Sequence, residues 1–540
     1  MRQFVLVWLR NVISVCFALL LTSCTYLQYS AIHTEYEKIQ NSDPSQVNLK
    51  HLLDNDTYFV WGKPIAELGS YTAVPMAIAA YTSQFKEHER VDTMFFTGTT
   101  THYALSLPDG VYTLLIYADI NDDQIFDPNE VVGQKELKLG SALYPEKLAK
   151  DINVELTLSH LIPWAETIQA PEAPALESSV YYPAGAIRRL GDSIFDENIA
   201  TMGMYDPASF IEVAPTMFYA LEEDQAHKIP VVFVHGIGGS SRSFETIVER
   251  MDKDRYQPWF FYYPSGGDLD QLGDFFYNIF ISGEVVLKGD MPIIVVAHSM
   301  GGLIVRDALN RYGRDEDENN VGLFVSIASP FGGHPSAALG EEHGLLVLPA
   351  WRDLNPASEF INDLYKNPLP KRINHQLYYA YNNSSVIKMG ENSDGVVPLS
   401  SQLNPTAQRQ SQGQFGFNSD HVDILKNEEM IVRLLIEMES VENPFPESHL
   451  SILNNGGIDV ALPDTYSPVT KQLIGYAGKY LVLLVKGGIE PISVEQERFI
   501  QAVRGDVTAT SDLEINFKRF MQEYQQQVRL VLDEHEANLQ

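Results

Sequence analysis

Cysteine is nearly absent from this sequence. Among 540 residues the chain has only Cys16 and Cys24, both near the N-terminus. Small secreted domains that lack a sufficient core depend on several disulfides, and two cysteines within one short segment exclude such a framework. The folded parts must therefore be held by hydrophobic cores, which a 45% hydrophobic composition can supply.

Basic residues are scarce as well. The chain has 38 lysines and arginines against 71 aspartates and glutamates, which gives a formal net charge of -33. A surface of this sign repels phosphate backbones. The charge therefore excludes nucleic acid from the expected partners.

The sequence also lacks a long apolar run at its N-terminus, where a membrane anchor often lies. The run at residues 12–21 is too short for a transmembrane helix. Arg2 and Arg10 precede it, which is the layout of a secretory signal. Residues 1–23 are therefore predicted to be a signal peptide.

The end of this segment, Leu21-Thr22-Ser23-Cys24, resembles the lipobox of bacterial lipoproteins. The resemblance implies cleavage before Cys24 and attachment of a diacylglyceryl group to its thiol, so that acyl chains anchor the mature N-terminus in a membrane. The next residue is Thr25 instead of aspartate, which by the same resemblance implies the outer membrane of a Gram-negative bacterium. The alternative is an ordinary signal peptide with a chance cysteine.

The length of the chain predicts three or four structural units. Residues 24–47 are expected to be a tether. Residues 48–160 are predicted to form a small β-sandwich, because aromatic and β-branched runs are separated by turn residues such as Pro108-Asp109-Gly110. The proline-containing stretch 161–214 is predicted to be a linker.

From residue 215 to 440 the pattern changes to short apolar runs that alternate with amphipathic stretches, which is typical of an α/β domain with a mostly parallel sheet. Residues 441–540 are predicted to be a largely helical extension, since Leu513, Phe517 and Phe520 recur at helical spacing. That apolar stripe indicates packing.

A serine lies at the junction of a predicted strand and a predicted helix. The apolar run Ile293–Ala297 leads to His298-Ser299-Met300-Gly301-Gly302, after which an amphipathic stretch begins. A tight strand-to-helix turn exposes a serine at the top of the sheet, where a neighbouring base can take its proton. Ser299 is therefore the candidate nucleophile.

The partners of such a serine follow it as an acid and then a histidine. Asp394 lies in a loop after one strand-like run, and His421 follows another. Asp420 and Asp423 flank the histidine, but an adjacent residue cannot readily place its carboxylate on the far ring nitrogen. Asp394 and His421 are the predicted partners, and His298 is expected to be structural.

These motifs resemble those of lipase-like and inositol-deacylase-like α/β-hydrolases over residues 215–439. The serine motif departs from the usual pattern at Ala297, where the family has glycine. The loop His235-Gly236-Ile237-Gly238-Gly239 resembles the oxyanion loop of lipases. The resemblance implies that the amides of Ile237 and Met300 stabilise the oxyanion, whereas His235 is expected to brace the loop.

The expected architecture is therefore an α/β-hydrolase fold preceded by a β-sandwich and followed by helices. The segment 332–375 is where this fold commonly places a lid, and its apolar residues suggest an acyl ester or lipid substrate; plain packing of a cap is the alternative. The expected activity is ester hydrolysis through an acyl-enzyme, without a catalytic cofactor. The alternative function is a non-catalytic surface lipoprotein that retains the hydrolase fold.

One further motif lies in the predicted β-sandwich. Oxygen-bearing side chains are spaced like those of an EF-hand loop. They are Asp119, Asn121, Asp123, Asp127 and Glu130. Gln124 stands where such a loop needs glycine. A structural calcium ion and a solvated acidic turn are the two interpretations.

Overall fold

The computed structural model describes most of the chain from residue 57 onwards and a short N-terminal segment. The described residues are 29–34, 57–66, 71, 74–83, 87–98, 102–170, 177–179, 181, 185–286, 289–312, 321–344, 346–382, 392–463 and 465–539. The predicted signal peptide, Cys24 and nearly all of the predicted tether lie outside them.

The first unit of the described chain, from Thr57 to His160, is a β-domain built mainly on two sheets. One sheet has the order β5-β1-β9, and the other has the order β2-β10-β8-β6-β3-β4. The strands are β1 (Thr57–Gly62), β2 (Pro64–Ile65), β3 (Pro75–Thr82), β4 (Glu89–Thr97), β5 (Tyr103–Pro108), β6 (Gly110–Ala118), β7 (Ile125–Phe126), β8 (Val131–Leu139), β9 (Leu148–Ala149) and β10 (Val154–His160). Both sheets bury aromatic and aliphatic side chains.

The next unit is built on a nine-stranded sheet. Its strands are β12 (Glu177–Ser178), β13 (Gly185–Ile187), β14 (Phe218–Ala220), β15 (Ile229–Val234), β16 (Tyr256–Phe261), β17 (Ile293–His298), β18 (Val321–Ile327), β19 (Asn374–Ala380) and β20 (Gly413–Phe417). The order is β12-β13-β14-β16-β15-β17-β18-β19-β20, and β16 through β20 pair in parallel. The residues of β15 and β17 are all buried, as expected of strands that are covered on both faces.

This strand order determines where a crevice for a ligand forms. The chain runs from β15 outward to β16 and then returns to the opposite side of β15 as β17. Loops that leave the carboxyl ends of β15 and β17 therefore diverge and form a crevice, which is where open α/β sheets bind ligands. The α/β-hydrolase fold predicted from the sequence is confirmed.

Helices cover the nine-stranded sheet and connect its strands. They are α1 (Glu197–Tyr205), α2 (Pro207–Val213), α3 (Glu245–Arg250), α4 (Leu269–Phe276), α5 (Gly301–Ala308), α6 (Pro335–His343), α7 (Pro349–Leu354), α8 (Glu359–Asp363), α9 (Leu399–Gln402), α10 (Pro405–Gln410) and α11 (Glu428–Glu439). Helices α6, α7 and α8 lie within the segment predicted to contain a lid.

The C-terminal region is helical and has a hydrophobic core of its own. Its helices are α12 (Glu447–Leu453), α13 (Pro468–Lys486), α14 (Val494–Arg504), α15 (Asp512–Glu523) and α16 (Gln525–Leu539). Phe517 and Phe520, which the sequence placed on an apolar stripe, are fully buried in this core. Among the described helices none is both long and apolar enough to cross a membrane.

The prediction that residues 161–214 form a linker is wrong. Strand β11 (Ile168–Gln169) pairs with β7 of the β-domain, while β12 and β13 belong to the nine-stranded sheet. Helices α1 and α2 also fall in this stretch. Proline favours extended chain, and a short edge strand is extended chain that has found a partner, so the composition alone could not separate the two.

The β-domain and the hydrolase domain share one continuous core. The Phe59 ring of β1 contacts the Phe275 ring of α4 at 6.2 Å between centroids, and Gln271 of the same helix donates to the Thr57 hydroxyl. The β-domain is therefore packed against helix α4 of the unit that is built on the nine-stranded sheet.

Candidate active site

The candidate nucleophile lies in a strained turn. Ser299 follows β17 directly and has a φ of 54°, a left-handed conformation that residues other than glycine rarely adopt. Its amide donates to the carbonyl of Ile327 in the neighbouring strand, at 2.8 Å. The backbone thus holds the serine side chain above the carboxyl ends of the strands.

Glycines let this turn approach its neighbours. A Cβ on Gly301 would lie 2.5 Å from the Val234 carbonyl oxygen, and one on Gly302 would lie 2.0 Å from the Ser329 hydroxyl. Both distances are shorter than any real carbon contact, so α5 can begin here only with glycine. Ala297, where the resemblance expects glycine, is fully buried within β17 and fits there.

The three side chains predicted as a triad lie in one hydrogen-bonded row. The distance from the Ser299 Oγ to the His421 Nε2 is 2.9 Å. On the other side of the ring, the His421 Nδ1 lies 2.6 Å from the Asp394 Oδ2. A carboxylate can only accept, so Nδ1 carries the proton and Nε2 is free to take one from the serine.

The loops after β19 and β20 fix the acid and the base. The second carboxylate oxygen of Asp394 accepts the amides of Val396 and Val397 at 2.9 and 2.6 Å. The His421 amide donates to the Asp394 carbonyl at 3.0 Å. All three residues of the row are at most 7% exposed, and this exclusion of water strengthens the interactions among them.

Gln402 supports the carboxylate and was not predicted. Its Nε2 donates to the Asp394 Oδ2 at 3.1 Å, the same oxygen that accepts from the imidazole. The Gln402 side chain is 1% exposed, and its Oε1 accepts the Ala380 amide. Glutamine is mostly a surface residue, so one sequence carries no signal for this role.

The other titratable residues near the triad, Asp420 and His298, have structural roles. The Asp420 Oδ1 accepts the amides of Val422 and Asp423, at 3.1 and 2.8 Å, and so caps a turn. The His298 Nε2 donates to the His421 carbonyl at 2.8 Å. Burial lowers the pKa of His298 to about 3, so this ring is neutral and holds the backbone of the base in place.

The predicted oxyanion amides lie beside the serine. Among the described residues, no group accepts a hydrogen bond from the amide of Ile237 or Met300. Gly236 lies so close to the serine that a Cβ on it would be 2.7 Å from the Ser299 Cβ. Two free amides and a close backbone approach leave room for a developing oxyanion.

His235 braces this loop from beneath. Its Nε2 accepts the Tyr263 amide, its Nδ1 donates to the Gly236 carbonyl at 2.8 Å, and its ring stacks on the Tyr263 ring. Burial lowers the pKa of His235 to about 4. It is neutral and structural, in agreement with its expected role.

A mainly apolar cavity of about 240 Å³ opens beside the nucleophile. Helices α6 and α7 supply one wall, and the oxyanion and acid loops supply the other. The lining residues are Ile237, Ser299, Met300, Pro330, His334, Ser336, Ala337, Gly340, Trp351, Leu354, Val396 and Val397. The cavity favours a hydrocarbon group next to the serine hydroxyl.

The acidic loop of the β-domain does not gather its side chains around one point. The Asp119 carboxylate accepts the amides of Asp123 and Gln124, and the Glu130 carboxylate accepts the Asp127 amide. Gln124 takes a positive φ of 63° at the position where glycine was expected. Within the described residues no group of acidic, histidine or cysteine side chains is arranged to hold a metal ion, and calcium stays a prediction.

One family model matches part of the chain. Residues 269–352, which contain the serine, match the lecithin:cholesterol acyltransferase family. The fold is that of the α/β-hydrolases, and the matched segment is similar to a lipase-like acyltransferase family. No curated protein matches the chain.

Several solved structures are similar over part of the chain. A Bacillus licheniformis lipase in its mature form is 18% identical, with a TM-score of 0.33, and the match covers 42% of this chain and 98% of that one. A Listeria innocua gene product is 16% identical, with a TM-score of 0.30, over 40% and 95% of the two chains. A Legionella pneumophila phospholipase is 14% identical, with a TM-score of 0.26, over 32% and 45%.

Proposed function

We propose that this protein is a serine hydrolase that cleaves carboxylic esters through an acyl-enzyme. The observation that carries the proposal is the row from Ser299 through His421 to Asp394, with distances of 2.9 and 2.6 Å. His421 takes the serine proton during attack and later returns a proton to the leaving alcohol. Asp394 keeps the ring in the required tautomer.

The negative charge of the tetrahedral intermediate falls on the former carbonyl oxygen. The amides of Ile237 and Met300 donate to this oxygen, and the loss of one such donor typically costs about a hundred- to a thousandfold in rate. A water molecule activated by His421 then releases the acid. None of these steps calls for a metal ion or cofactor.

The apolar cavity supports an acyl ester or lipid as the substrate class. It places apolar side chains directly beside the nucleophile, and Trp351 and Leu354 of α7 are among its lining residues. An acyl chain would bury its methylenes there, each stabilised by about 0.8 kcal/mol. The leaving group would then point towards the open side of the site.

The experiment that tests this function is a panel of acyl esters of graded chain length, with wild type compared with Ser299→Ala. We expect the variant to lose at least about a thousandfold in kcat/KM on every hydrolysed ester. Equal rates for the two proteins would reject the assignment. A protein that binds but does not cleave, the alternative function, would hydrolyse none of the panel and would not react with a fluorophosphonate probe.

We also propose that the protein is a lipoprotein of the outer membrane, anchored through Cys24. The support is the lipobox-like sequence before that residue. The Cys24→Ser variant is expected to leave the membrane fraction and appear in the soluble fraction. Continued attachment of the variant to membranes would refute lipidation at this residue.

A further inference from the structure

The N-terminal segment at residues 29–34 is fastened close to the site. The Tyr29 ring stacks on the Tyr205 ring, with 5.1 Å between centroids and 18° between planes. The His33 Nε2 donates to the Tyr205 carbonyl, and the His33 side chain is 9% exposed. Tyr205 is the last residue of α1, so the segment is tied to the end of that helix.

The end of α1 is connected to both walls of the site, to one of them through Gly266. The Gly266 amide donates to the Gly203 carbonyl at 3.1 Å, and the Gly266 carbonyl accepts the Ala350 amide of α7 at 3.3 Å. A Cβ on Gly238, in the oxyanion loop, would lie 3.7 Å from the Met204 Sδ. The N-terminal segment is thus connected through one helix end to the lid-like helices and to the oxyanion loop.

Little chain separates this segment from the proposed lipidation site. Tyr29 follows Cys24 by five residues, and an extended chain of that length spans at most about 17 Å. A lipidated Cys24 would lie at the membrane surface. The membrane would therefore lie within about 17 Å of Tyr29, whose ring stacks on the end of α1.

Exposed aliphatic side chains lie on the cavity lining and on the elements that flank it. Leu339, Val396 and Val422 are 61%, 53% and 58% exposed. Val396 lines the cavity, Leu339 lies on α6 between two lining residues, and Val422 follows the base. We call these three residues the rim. Exposed aliphatic groups around an apolar cavity are typical of a surface that contacts lipid.

We propose that the N-terminal anchor and the rim together hold the mouth of the site on the leaflet that carries the anchor, and that the substrates are acyl ester lipids of that same leaflet. The proposal rests on the proposed hydrolase function and on the proposed anchor. A net charge of -33 gives no attraction to anionic lipid. Attachment therefore depends on the anchor and the rim, and neutral or zwitterionic lipids fit best.

The test uses the full lipidated protein in phosphatidylcholine vesicles. A labelled diacyl lipid is placed either in the vesicles that hold the protein or in separate vesicles, and a soluble short-chain ester is measured in parallel. We expect hydrolysis in the same vesicles to be at least about tenfold faster than in separate ones, because the anchor raises the effective concentration of substrate.

A linker insertion tests the role of the short connection. Twenty glycine and serine residues are inserted between Leu27 and Gln28, and the same insert between Asn454 and Asn455 is the control. The first insert is expected to lower the same-vesicle rate several-fold, because the mouth can turn away from the bilayer. The soluble-ester rate should not change, and the control insert should change neither rate.

The rim is tested with the double variant Leu339→Ser and Val422→Ser. Its ratio of same-vesicle rate to soluble-ester rate is expected to fall about tenfold. Leu158→Ser is the matched control, since Leu158 is an 87% exposed leucine on β10 of the β-domain. If soluble ester is hydrolysed but neither the linker nor the rim variant lowers the same-vesicle rate, the inference is overturned. If no ester is hydrolysed at all, the proposed function fails instead.

Discussion

At the residue scale, the two aspartates near His421 differ in the hydrogen bonds that their carboxylate oxygens accept. Asp394 and Asp420 are both carboxylates in loops at the same edge of the sheet. Only the Asp394 carboxylate reaches the imidazole, at 2.6 Å, whereas Asp420 caps the backbone of the next turn. Sequence adjacency to the histidine is therefore a poor guide to the acid.

This difference gives a matched pair of variants. Asp394→Asn is expected to lower kcat about a thousand- to ten-thousandfold, because an amide does not hold the required imidazole tautomer. Asp420→Asn is expected to stay within a few-fold of wild type, since an amide oxygen can still accept the same backbone amides. Steady-state kinetics on one soluble ester compares the two variants, and a larger loss in Asp420→Asn would reverse the assignment.

Gln402 gives a second residue-scale prediction. Gln402→Met removes a donor to a buried carboxylate, and a hydrogen bond of that kind is worth enough to lower kcat by about ten- to a hundredfold. KM should be unchanged because Gln402 does not line the cavity. Gln414→Met, at an exposed glutamine of β20, is the control. A raised KM with normal kcat would show that Gln402 shapes the cavity and does not position the acid.

At the element scale, the elements that could be predicted are those that hydrophobic periodicity or glycine specifies locally. The runs of β15 and β17, the glycine-rich turn and the order of acid and histidine follow local rules, so these elements could be located. The short strands β12 and β13 at one end of the sheet could not, because each has only two or three residues and is stabilised by its neighbours in the sheet. Gln402 was missed for a related reason: its role depends on a partner eight residues earlier that only the folded loop brings near.

Helix α7 carries a pH-sensitive contact with the start of α4. The Asp353 Oδ2 accepts the Leu269 amide at 2.8 Å. Burial, and next the charge of Asp268, raise the pKa of Asp353 to about 7. Between about pH 4, the ordinary value for aspartate, and pH 7 the folded protein therefore binds a proton that the unfolded chain releases.

It follows that the contribution of Asp353 to stability falls as the pH rises through this window. We expect Asp353→Asn and wild type to melt alike near pH 4, and the variant to be more stable by about 1–2 kcal/mol at pH 8, where wild type must bury a charge. Melting curves at several pH values measure the difference, and Asp506→Asn at an exposed site is the control. A difference that grows towards low pH would contradict the assignment.

At the scale of the whole molecule, the boundaries of the units were harder to predict than their types. The β-domain and the hydrolase domain share a core, and the described strands between residues 161 and 190 pair with one domain or the other. The C-terminal helices have a separate core. Amino-acid composition indicates whether a segment can pack into a core. It does not identify the segment against which it packs, because the fold determines that.

The net charge leads to a prediction for the whole molecule. The unanchored Cys24→Ser protein is expected to hydrolyse lipid in anionic vesicles more slowly than in zwitterionic ones at about 0.01 M salt, where the screening length is about 30 Å. The difference between the two hydrolysis rates should become smaller at about 0.15 M salt, where the screening length is about 8 Å. Initial rates at the two salt concentrations test this, and faster hydrolysis of the anionic vesicles at low salt would contradict it.

The central claim is that Ser299 becomes the covalently modified nucleophile. The most direct measurement is mass spectrometry of the protein after reaction with a fluorophosphonate, with peptide mapping of the adduct. The account predicts one adduct on Ser299 in the wild type, much slower labelling of His421→Ala and none of Ser299→Ala. An adduct on another serine, or equal labelling of wild type and Ser299→Ala, would contradict it.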